Sequence, residues 1–331
     1  MASMSNPHYT ATVLNSAGNK YDITGALTDL MLDEGEGELA QKVTLSLPQL
    51  KHDGKYLTGL IGVHDRLFVF ADTGNGAKEV FRGYIWTDVY EKDETKEITL
   101  TAYDRMIYLI ESEEYKFYSS GKSTNSIFTD VCESKEITLK YNHESMTHSK
   151  LVIRGSLADA FLDLLEEVRK KTGKRGVIRD TKGEMEVVTE GQNDTVYELV
   201  HGNEGNLIKT SHSVTLDGIV TKVIILGKEE NDTQAPIRAT LTGDTSYGTI
   251  QKIISSSDSD KLDDLKKEGN QRLKDDGKPK REVSAVAIDN PWIRKGDKVH
   301  IDDGYVDTYA IVKSISHDAK NKTMSMELRM T

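Results

Sequence analysis

Residues 63–69 read VHDRLFV, and residues 295–301 read KGDKVHI. Each stretch is a polar turn, containing Asp65 in the first copy and Gly296 with Asp297 in the second, that leads into alternating polar and apolar side chains. Such alternation is typical of a β-strand with one buried face. The recurrence of a turn and a strand in the same order indicates an internal repeat.

Each copy continues into a strand that begins at an aromatic residue, Phe81 in FRGYI and Tyr309 in YAIV. Residues 98–100 and 326–328 then lie at the same distance beyond the two aromatics. We therefore expect two similar small antiparallel β-barrels in one chain. Their shared structural signature would be formed by Asp65, Phe81, Gly83, Gly296, Asp297 and Tyr309.

Coincidence is the alternative to a repeat. Any two antiparallel meanders share alternation and turns rich in Gly and Asp. The middle strands of the two copies also slip in phase, since Ile85 falls opposite Lys313.

The composition is that of a soluble globular protein of several units. The chain has 331 residues, of which 37% are hydrophobic and 29% charged, and this length favours two to four units. No apolar run approaches the length of a membrane-spanning helix. The N-terminus lacks the basic and apolar regions of a secretory signal, which predicts synthesis in the cytoplasm. Met4 is a candidate natural start, with residues 1–3 left by a vector.

The charge balance argues against broad nucleic-acid binding. The chain carries 54 acidic and 43 basic residues, for a net charge of -11. Phosphate contacts require clustered Lys and Arg, whereas the basic residues here alternate with acidic ones. A solvated surface explains them better than a phosphate-binding track.

The pattern of elements predicts a mostly β fold with α+β inserts, divided into four units. We expect a first β-barrel over residues 1–106 and an α+β domain over 107–205, with helices over 124–133 and from Ser156 to Gly173. The second barrel would combine residues 206–228, including a strand over 218–227, with 282–331. A small α/β domain over 229–281, with a charged helix over 260–274, would interrupt it.

No combination of residues forms a recognisable catalytic, metal or cofactor site. His143 and His148 are one residue too far apart for the two-histidine zinc motif. Cys132 lies on the apolar side of a predicted helix and is expected to be a buried hydrophobe. Residues 74–78 lack the Ser or Thr of a phosphate loop, and the acidic loop at residues 33–38 lacks calcium-binding spacing and is expected to be a mobile, solvated turn.

Several motifs resemble one family. FRGYI at 81–85, TAYDRMIYL at 101–109, IRKGDKV at 293–299 and SMEL at 325–328 resemble the tail-hub proteins of PBSX-like phage elements, the XkdQ/YqbQ type. More distantly, the order of units is similar to the hubs of contractile phage tails and of type VI secretion spikes. The resemblance implies a structural, non-enzymatic role in a virion or a phage-tail-like particle.

The resemblance also implies partners. These are the tail tube protein, the spike protein, and baseplate wedge and tape-measure proteins, with the chain as a homotrimer. Two similar barrels per subunit would let a trimer form six platforms, matching a six-fold tube to a three-fold spike. The acidic loop would then meet the first tube ring.

Two other classes of function stay open. A carbohydrate- or protein-binding β module would expose aromatic platforms, for which Trp86 and Trp292 are the two tryptophans. A virion-associated cell-wall hydrolase would need two carboxylates close together in a cleft, and the sequence selects no such pair. Phage, defective prophage and contractile bacteriocin are not distinguished, nor is the free oligomeric state.

Overall fold

Alternating side chains build an N-terminal β unit. In the first strand, Tyr9, Ala11 and Val13 are buried and the side chains between them are more exposed. The computed structural model describes residues 6–91, 96–203, 205–227, 234–255 and 261–331. In this unit the elements are β1 His8–Leu14, β2 Lys20–Asp22, β3 Asp29–Glu34, β4 Lys42–Pro48, β5 Lys51–His52, β6 Lys55–Tyr56, β7 Arg66–Asp72, β8 Lys78–Glu91, β9 Glu97–Tyr103 and α1 Ile107–Ile110.

The middle segment is α+β, as the sequence predicts. Its elements are β10 Glu113–Tyr118, α2 Thr124–Ser134, β11 Leu139–Asn142, β12 Leu151–Ser156, α3 Leu157–Thr172, β13 Gly176–Thr181 and β14 Glu184–Thr189. The Ser156 side chain accepts the N–H of Asp159 at the start of α3, and Gly173 ends the helix at φ 75°. Phe128 of α2 stacks on Phe161 of α3 with ring centroids 4.0 Å apart, which places both helices on one core.

The C-terminal β unit surrounds a second core, and a small α/β unit interrupts its chain. The elements are β15 Tyr197–Val200, β16 Leu207–Thr215, β17 Lys222–Leu226, β18 Ile237–Thr242, β19 Gln251–Ser255, α4 Leu262–Asp276, β20 Lys280–Ile288, β21 Lys298–Asp302, β22 Asp307–Asp318 and β23 Thr323–Met330. Helix α4 covers one face of the β18-β17-β19 sheet with Leu265, and Glu268 and Asp275 tie it to Lys170 and Arg169 of α3.

Apart from the β5 and β6 hairpin, the strands of the two β units form one 13-stranded sheet, in which β3 pairs with β22. Separate apolar cores lie in the two units, so the sheet is continuous while the cores are not. The predicted mostly β fold with α+β inserts is confirmed, and closure of either unit into a barrel stays a prediction.

Two strands lie elsewhere than expected. We expected residues 218–227 in the second barrel, but β17 pairs with β18 and β19 in the sheet of the inserted unit. Conversely β15, which falls in the predicted 107–205 domain, pairs in parallel with β21 of the C-terminal β unit. An apolar run predicts a strand, but its partner depends on residues far away in the chain.

Parts of the domain predicted over 229–281 fall outside the described residues. These are residues 229–233 and 256–260, the last of which begins the charged helix predicted over 260–274. Within the described ranges, none of the helices has the length and apolar character needed to cross a membrane.

Candidate functional site: the repeated turns and the junction of the β units

The turn before β7 is held by the side chain of Asp65. Its Oδ2 accepts the N–H of Gly62 at 2.9 Å and its Oδ1 accepts the N–H of Ser16 at 2.8 Å. The backbone carbonyl of Asp65 accepts the N–H of Ile85 at 2.9 Å. The Asp65 carboxylate therefore closes its own turn and ties it to the end of β1, and the Asp65 backbone carbonyl ties the turn to β8.

The turn before β21 repeats this arrangement around Asp297. Its Oδ2 accepts the N–H of Arg294 at 2.9 Å, and its backbone carbonyl accepts the N–H of Val312 at 2.9 Å. The remaining Oδ1 accepts Nη1 of Arg179 at 2.9 Å, which ties this turn to β13 instead of to a first strand.

The residue before each aspartate is also equivalent. His64 has φ 67° and Gly296 has φ 86°, both in the left-handed region that favours glycine. The N–H of His64 donates to the carbonyl of Ile85 at 2.6 Å, and that of Gly296 donates to Val312 at 2.8 Å. Ile85 and Val312 therefore occupy the same place in the two copies.

The two β units share their strand order. Unit one runs β1-β7-β8-β9-β4-β3 across the sheet, and unit two runs β15-β21-β22-β23-β20-β16. When only these six strands are counted in chain order, the first strand is beside the fourth and the third is beside the sixth in both units. One difference is that β1 is antiparallel to β7 whereas β15 is parallel to β21. The common order argues against coincidence.

The pairing of the long strands corrects the alignment made from sequence, and a bulge lies at the equivalent place in each of them. The register of β8 against β9 shifts just after Ile85, and that of β22 against β23 shifts just after Val312. Gly83 pairs with Leu67 and Ala310 pairs with Val299, so Gly83 and Ala310 are equivalent.

The predicted equivalence of Phe81 and Tyr309 is therefore off by one residue. Phe81 is buried in the first core, whereas Tyr309 is 49% exposed and its ring lies 4.9 Å from that of His300. The last strands differ by two residues from the predicted register, because Ala102 pairs with Ile85 and Leu328 pairs with Val312. A register shift of two residues leaves each side chain on the same face of the sheet.

A buried ion pair joins the two β units where β3 meets β22. Glu34, 3% exposed, accepts the Nε of Arg294 at 2.9 Å and is also bonded by its Nη2. The backbone N–H of Lys295 donates to the same carboxylate at 3.1 Å. Nη1 of Arg294 donates to the carbonyl of Asp180 at 3.0 Å, so the middle segment is part of the same junction.

The acidic loop at residues 33–38 is part of this junction, and the expectation of a solvated turn is wrong for the buried Glu34, whereas residues 36–38 are exposed. Asp33 accepts the Ser316 hydroxyl at 2.6 Å, and Glu36 pairs with Lys313 at 3.0 Å. The Nζ of Lys295 donates to the carbonyl of Glu38. Asp33, Glu34 and Glu36 therefore have partners inside the chain, and contact between this loop and a tube ring stays a prediction.

Burial and charge shift the pKa values around the junction in opposite directions. Burial raises the pKa of Glu34, but Arg294 and Lys295 outweigh it and hold that pKa at about 2. Burial raises the pKa of Asp180 to about 6, although Gly183 donates its N–H to the carboxylate at 2.9 Å. Burial also raises the pKa of Asp104 well above its ordinary range.

Asp180→Asn is expected to weaken the pH dependence of stability between about pH 4 and about pH 6. The pKa of folded Asp180, about 6, lies above its ordinary value of 3.8. The native chain therefore binds more protons than the unfolded chain in this window, and stability falls as pH rises through it. The substitution should raise the free energy of unfolding at neutral pH by on the order of 2 kcal/mol.

Urea unfolding at a series of pH values measures this effect. Glu34 acts in the opposite sense, because its stabilisation is complete above about pH 4.5 and is lost as pH falls toward about 2. Glu34→Gln should therefore lower the free energy of unfolding by the same amount at every pH between about 5 and about 6, so that its change with pH stays as in the unaltered chain. If the free energy of unfolding of the Asp180→Asn variant changed with pH as steeply as that of the unaltered chain, the raised pKa of Asp180 would be contradicted.

The remaining candidate residues lie apart from the junction or inside cores. Cys132 is fully buried with its Sγ 3.8 Å from the Sδ of Met185, and burial raises its pKa to about 12. His148 is buried and bonded to Thr124, and His143 is bonded to Thr189. Among the described residues no group of three or more His, Cys, Asp or Glu side chains is placed to hold a metal ion.

Neither tryptophan stands alone as an exposed platform. Trp86 packs edge-on against Tyr108 with ring centroids 5.8 Å apart, and Trp292 packs against the first core. The sequence reasoning missed the Glu34 and Arg294 pair, because its members are 260 positions apart and nothing in the local sequence links them.

The architecture recurs in solved structures. A prophage tail protein from Shewanella oneidensis superposes with a TM-score of 0.73 at 14% identity, over 98% of this chain and 100% of that chain. A tail protein from Neisseria meningitidis gives 0.71 at 13% identity, over 97% and 96%. An Escherichia coli component of the type VI secretion system, which is similar in structure to the T4 tail proteins gp27 and gp5, gives 0.57 at 8% identity, over 92% and 74%. The chain thus has the fold of phage tail proteins.

Sequence comparison narrows this class to one family. Residues 70–331 match the family described as YQBQ-like, so the chain belongs to the YqbQ-like family. The Bacillus subtilis (strain 168) relative "Uncharacterized protein YqbQ" is 23% identical over 257 residues, 76% of this chain and 77% of that protein. The resemblance inferred from the short motifs is confirmed.

Proposed function

We propose that this chain is the structural hub of a contractile phage tail or a phage-tail-like particle, and that it acts as a homotrimer without catalysing a reaction. The observation that carries the proposal is the pair of β units with a common strand order, joined edge to edge in one sheet. Three copies supply six similar units around one axis, while the middle segment and the inserted unit occur three times.

This arrangement matches two symmetries with one chain. A tube of six-fold symmetry requires six similar contact surfaces, and a spike of three-fold symmetry requires three. The six β units would face the tail tube protein, and the middle segment and inserted unit would face the spike and wedge proteins. The tape-measure protein would pass through the ring. The net charge of -11 would disfavour adhesion of passing DNA by like-charge repulsion.

The role also sets where the protein is found. It would fold in the bacterial cytoplasm, join the tail during assembly, and leave the cell in the finished particle. The fold shared with a tail protein from Neisseria meningitidis and a prophage tail protein from Shewanella oneidensis supports this location.

Image reconstruction of purified particles tests the proposal. We expect three copies of the chain at the junction of tube and spike, with six similar β units around the tail axis. Native mass spectrometry of the purified chain, alone and with the spike protein, should find a species of three copies. Six copies at this level of the particle, or a single copy, would contradict the hub proposal.

A further inference from the structure

A long strand edge of the C-terminal β unit has no partner within the described part of the chain. Strand β16 pairs along its length with β20, and no other described strand pairs with its second edge. Apolar side chains are exposed here, with Ile208 at 53% and Val214 at 64%. Open strand edges with apolar side chains are templates for pairing with another chain.

A second open edge lies at the end of β8. Residues 88–91 pair with β9 on one side, whereas β7 covers β8 only up to Tyr84. In the described ranges no strand pairs with the other side of residues 88–91. Val89 is 42% exposed and Tyr90 is 44% exposed.

The internal repeat shows that these two edges correspond to a junction already formed inside the chain. Because Ile85 is equivalent to Val312, residues 88–91 are equivalent to residues 315–318 of β22. Those four residues of β22 pair with β3, with Ile315 opposite Glu34 and Asp318 opposite Met31.

The partner strands correspond in the same way. Leu32 of β3 lies opposite Val43, and His212 of β16 lies opposite Val283. Val43 and Val283 are equivalent, since both pair with the equivalent positions Ala102 and Leu328 of the last strands. Strand β16 is therefore equivalent to β3. The unpaired edge of β16 is equivalent to the edge of β3 that pairs with β22.

Exposed apolar residues stand where the internal junction has buried charges. Val214 takes the place of Glu34, and Val63 takes the place of Lys295 when the turns are aligned on their aspartates. Val214 and Val63 are 64% and 61% exposed. In the isolated chain both side chains are in contact with water. Contact between two copies would bring the two side chains together and bury them, which is favourable.

A further pair follows the same rule. Glu36 pairs with Lys313 at 3.0 Å inside the chain. The bulge residue Trp86 is equivalent to Lys313. Leu216 is equivalent to Glu36, because each lies two residues after the equivalent positions Val214 and Glu34. Leu216 is 47% exposed. Ionic contacts join the two units within a chain, and apolar contacts are available at the corresponding places between chains.

We propose that β16 of one copy pairs antiparallel with residues 88–91 of β8 in the next copy, in the register of the internal junction. This register sets Val214 opposite Asp88, Ser213 opposite Val89 and His212 opposite Tyr90. The proposal rests on the hub function, for which it names the contact between subunits. Such a head-to-tail contact forms a closed ring when the rotation from each copy to the next brings the last copy back to the first. Around the ring, contacts between copies would then alternate with the internal junction of β3 and β22.

Disulfide trapping tests the register. In a Cys132→Ala background, Val89→Cys and Ser213→Cys together should form covalent dimers and trimers between chains under mild oxidation, read on a non-reducing gel. A misaligned pair, Val89→Cys with Lys209→Cys, is displaced by four residues, roughly 13 Å along the strand. It should yield at least about tenfold less linked product, because disulfides require Cα atoms within about 7 Å.

An internal pair provides the positive control. Asp33→Cys with Ser316→Cys occupies the equivalent register inside one chain and should link without changing the number of copies. If native mass spectrometry finds trimers, the internal pair links and the Val89 and Ser213 pair does not, the strand pairing is wrong while the hub proposal stands. If the linked species continue beyond three copies, the contact is right but the closed trimer is wrong. If no trimer forms alone or with the spike protein, and no linked species appear, both fail.

Discussion

Replacing Arg294 by methionine is expected to lower the free energy of unfolding by about 3–5 kcal/mol, since it removes one partner of a buried ion pair. The side chain of Glu34 would remain 3% exposed with a negative charge and no guanidinium beside it. Its pKa would rise from about 2, so the variant should also bind a proton on folding under mildly acidic conditions. Guanidinium unfolding followed by the fluorescence of Trp292, which packs against the first core, measures the loss at the junction.

Two matched variants separate the ion pair from other effects of the substitution. Glu34→Met together with Arg294→Met should recover a large part of the loss, because the buried Glu34 carboxylate is then no longer left without its guanidinium partner. Lys267→Met removes an exposed pair with Asp264 on α4 and should change stability by less than about 1 kcal/mol. A change for Arg294→Met as small as that for Lys267→Met would mean that the junction does not depend on this charge pair.

The repeated turn could be predicted from sequence because its causes are local. Asp65 and Asp297 each accept the N–H three residues earlier, and the strand after each turn alternates in the ordinary way. Turn chemistry and alternation are properties of adjacent residues, so they are visible in the sequence.

The register of the middle strands could not be predicted in the same way. A bulge adds one residue to a strand and moves every later side chain to the opposite face. The bulges follow Ile85 and Val312, and the sequence gives no signal of either. Phe81 was matched with Tyr309 because both are aromatic, although Phe81 pairs with Val69 and it is Thr308 that pairs with the equivalent Ile301.

The junction was beyond prediction for a different reason. Acidic residues in a glycine-rich loop are normally solvated, and only the fold brings Arg294 and Lys313 to Glu34 and Glu36. The same holds for β17, whose apolar sequence suits any sheet and whose pairing with β19 is a parallel contact between separated segments. Local sequence sets which residues form strands, and distant residues set which strands meet.

Gly83→Ala is expected to destabilise the N-terminal β unit by about 3 kcal/mol or more, as overpacking of a core strand does. A Cβ at this position would lie 2.1 Å from the backbone oxygen of Tyr103 and 2.6 Å from the Cζ of Phe81. The obstacle is the backbone of β9, which cannot move without breaking the β8 and β9 ladder, so relaxation by a side chain is not available. Thermal unfolding followed by Trp86 fluorescence should report the loss.

The repeat itself supplies the comparison for this substitution. The equivalent position in the C-terminal β unit holds Ala310, which is fully buried, so the common fold accepts a Cβ there and the constraint at Gly83 comes from the closer approach of β9. Gly62→Ala meets nothing within 4 Å and should cost less than about 1 kcal/mol. Because unit one supplies β3 to the junction, we expect Gly83→Ala to loosen the contact between the two units as well. Equal stability of the Gly83 and Gly62 variants would show that β8 and β9 are not held as closely as this geometry requires.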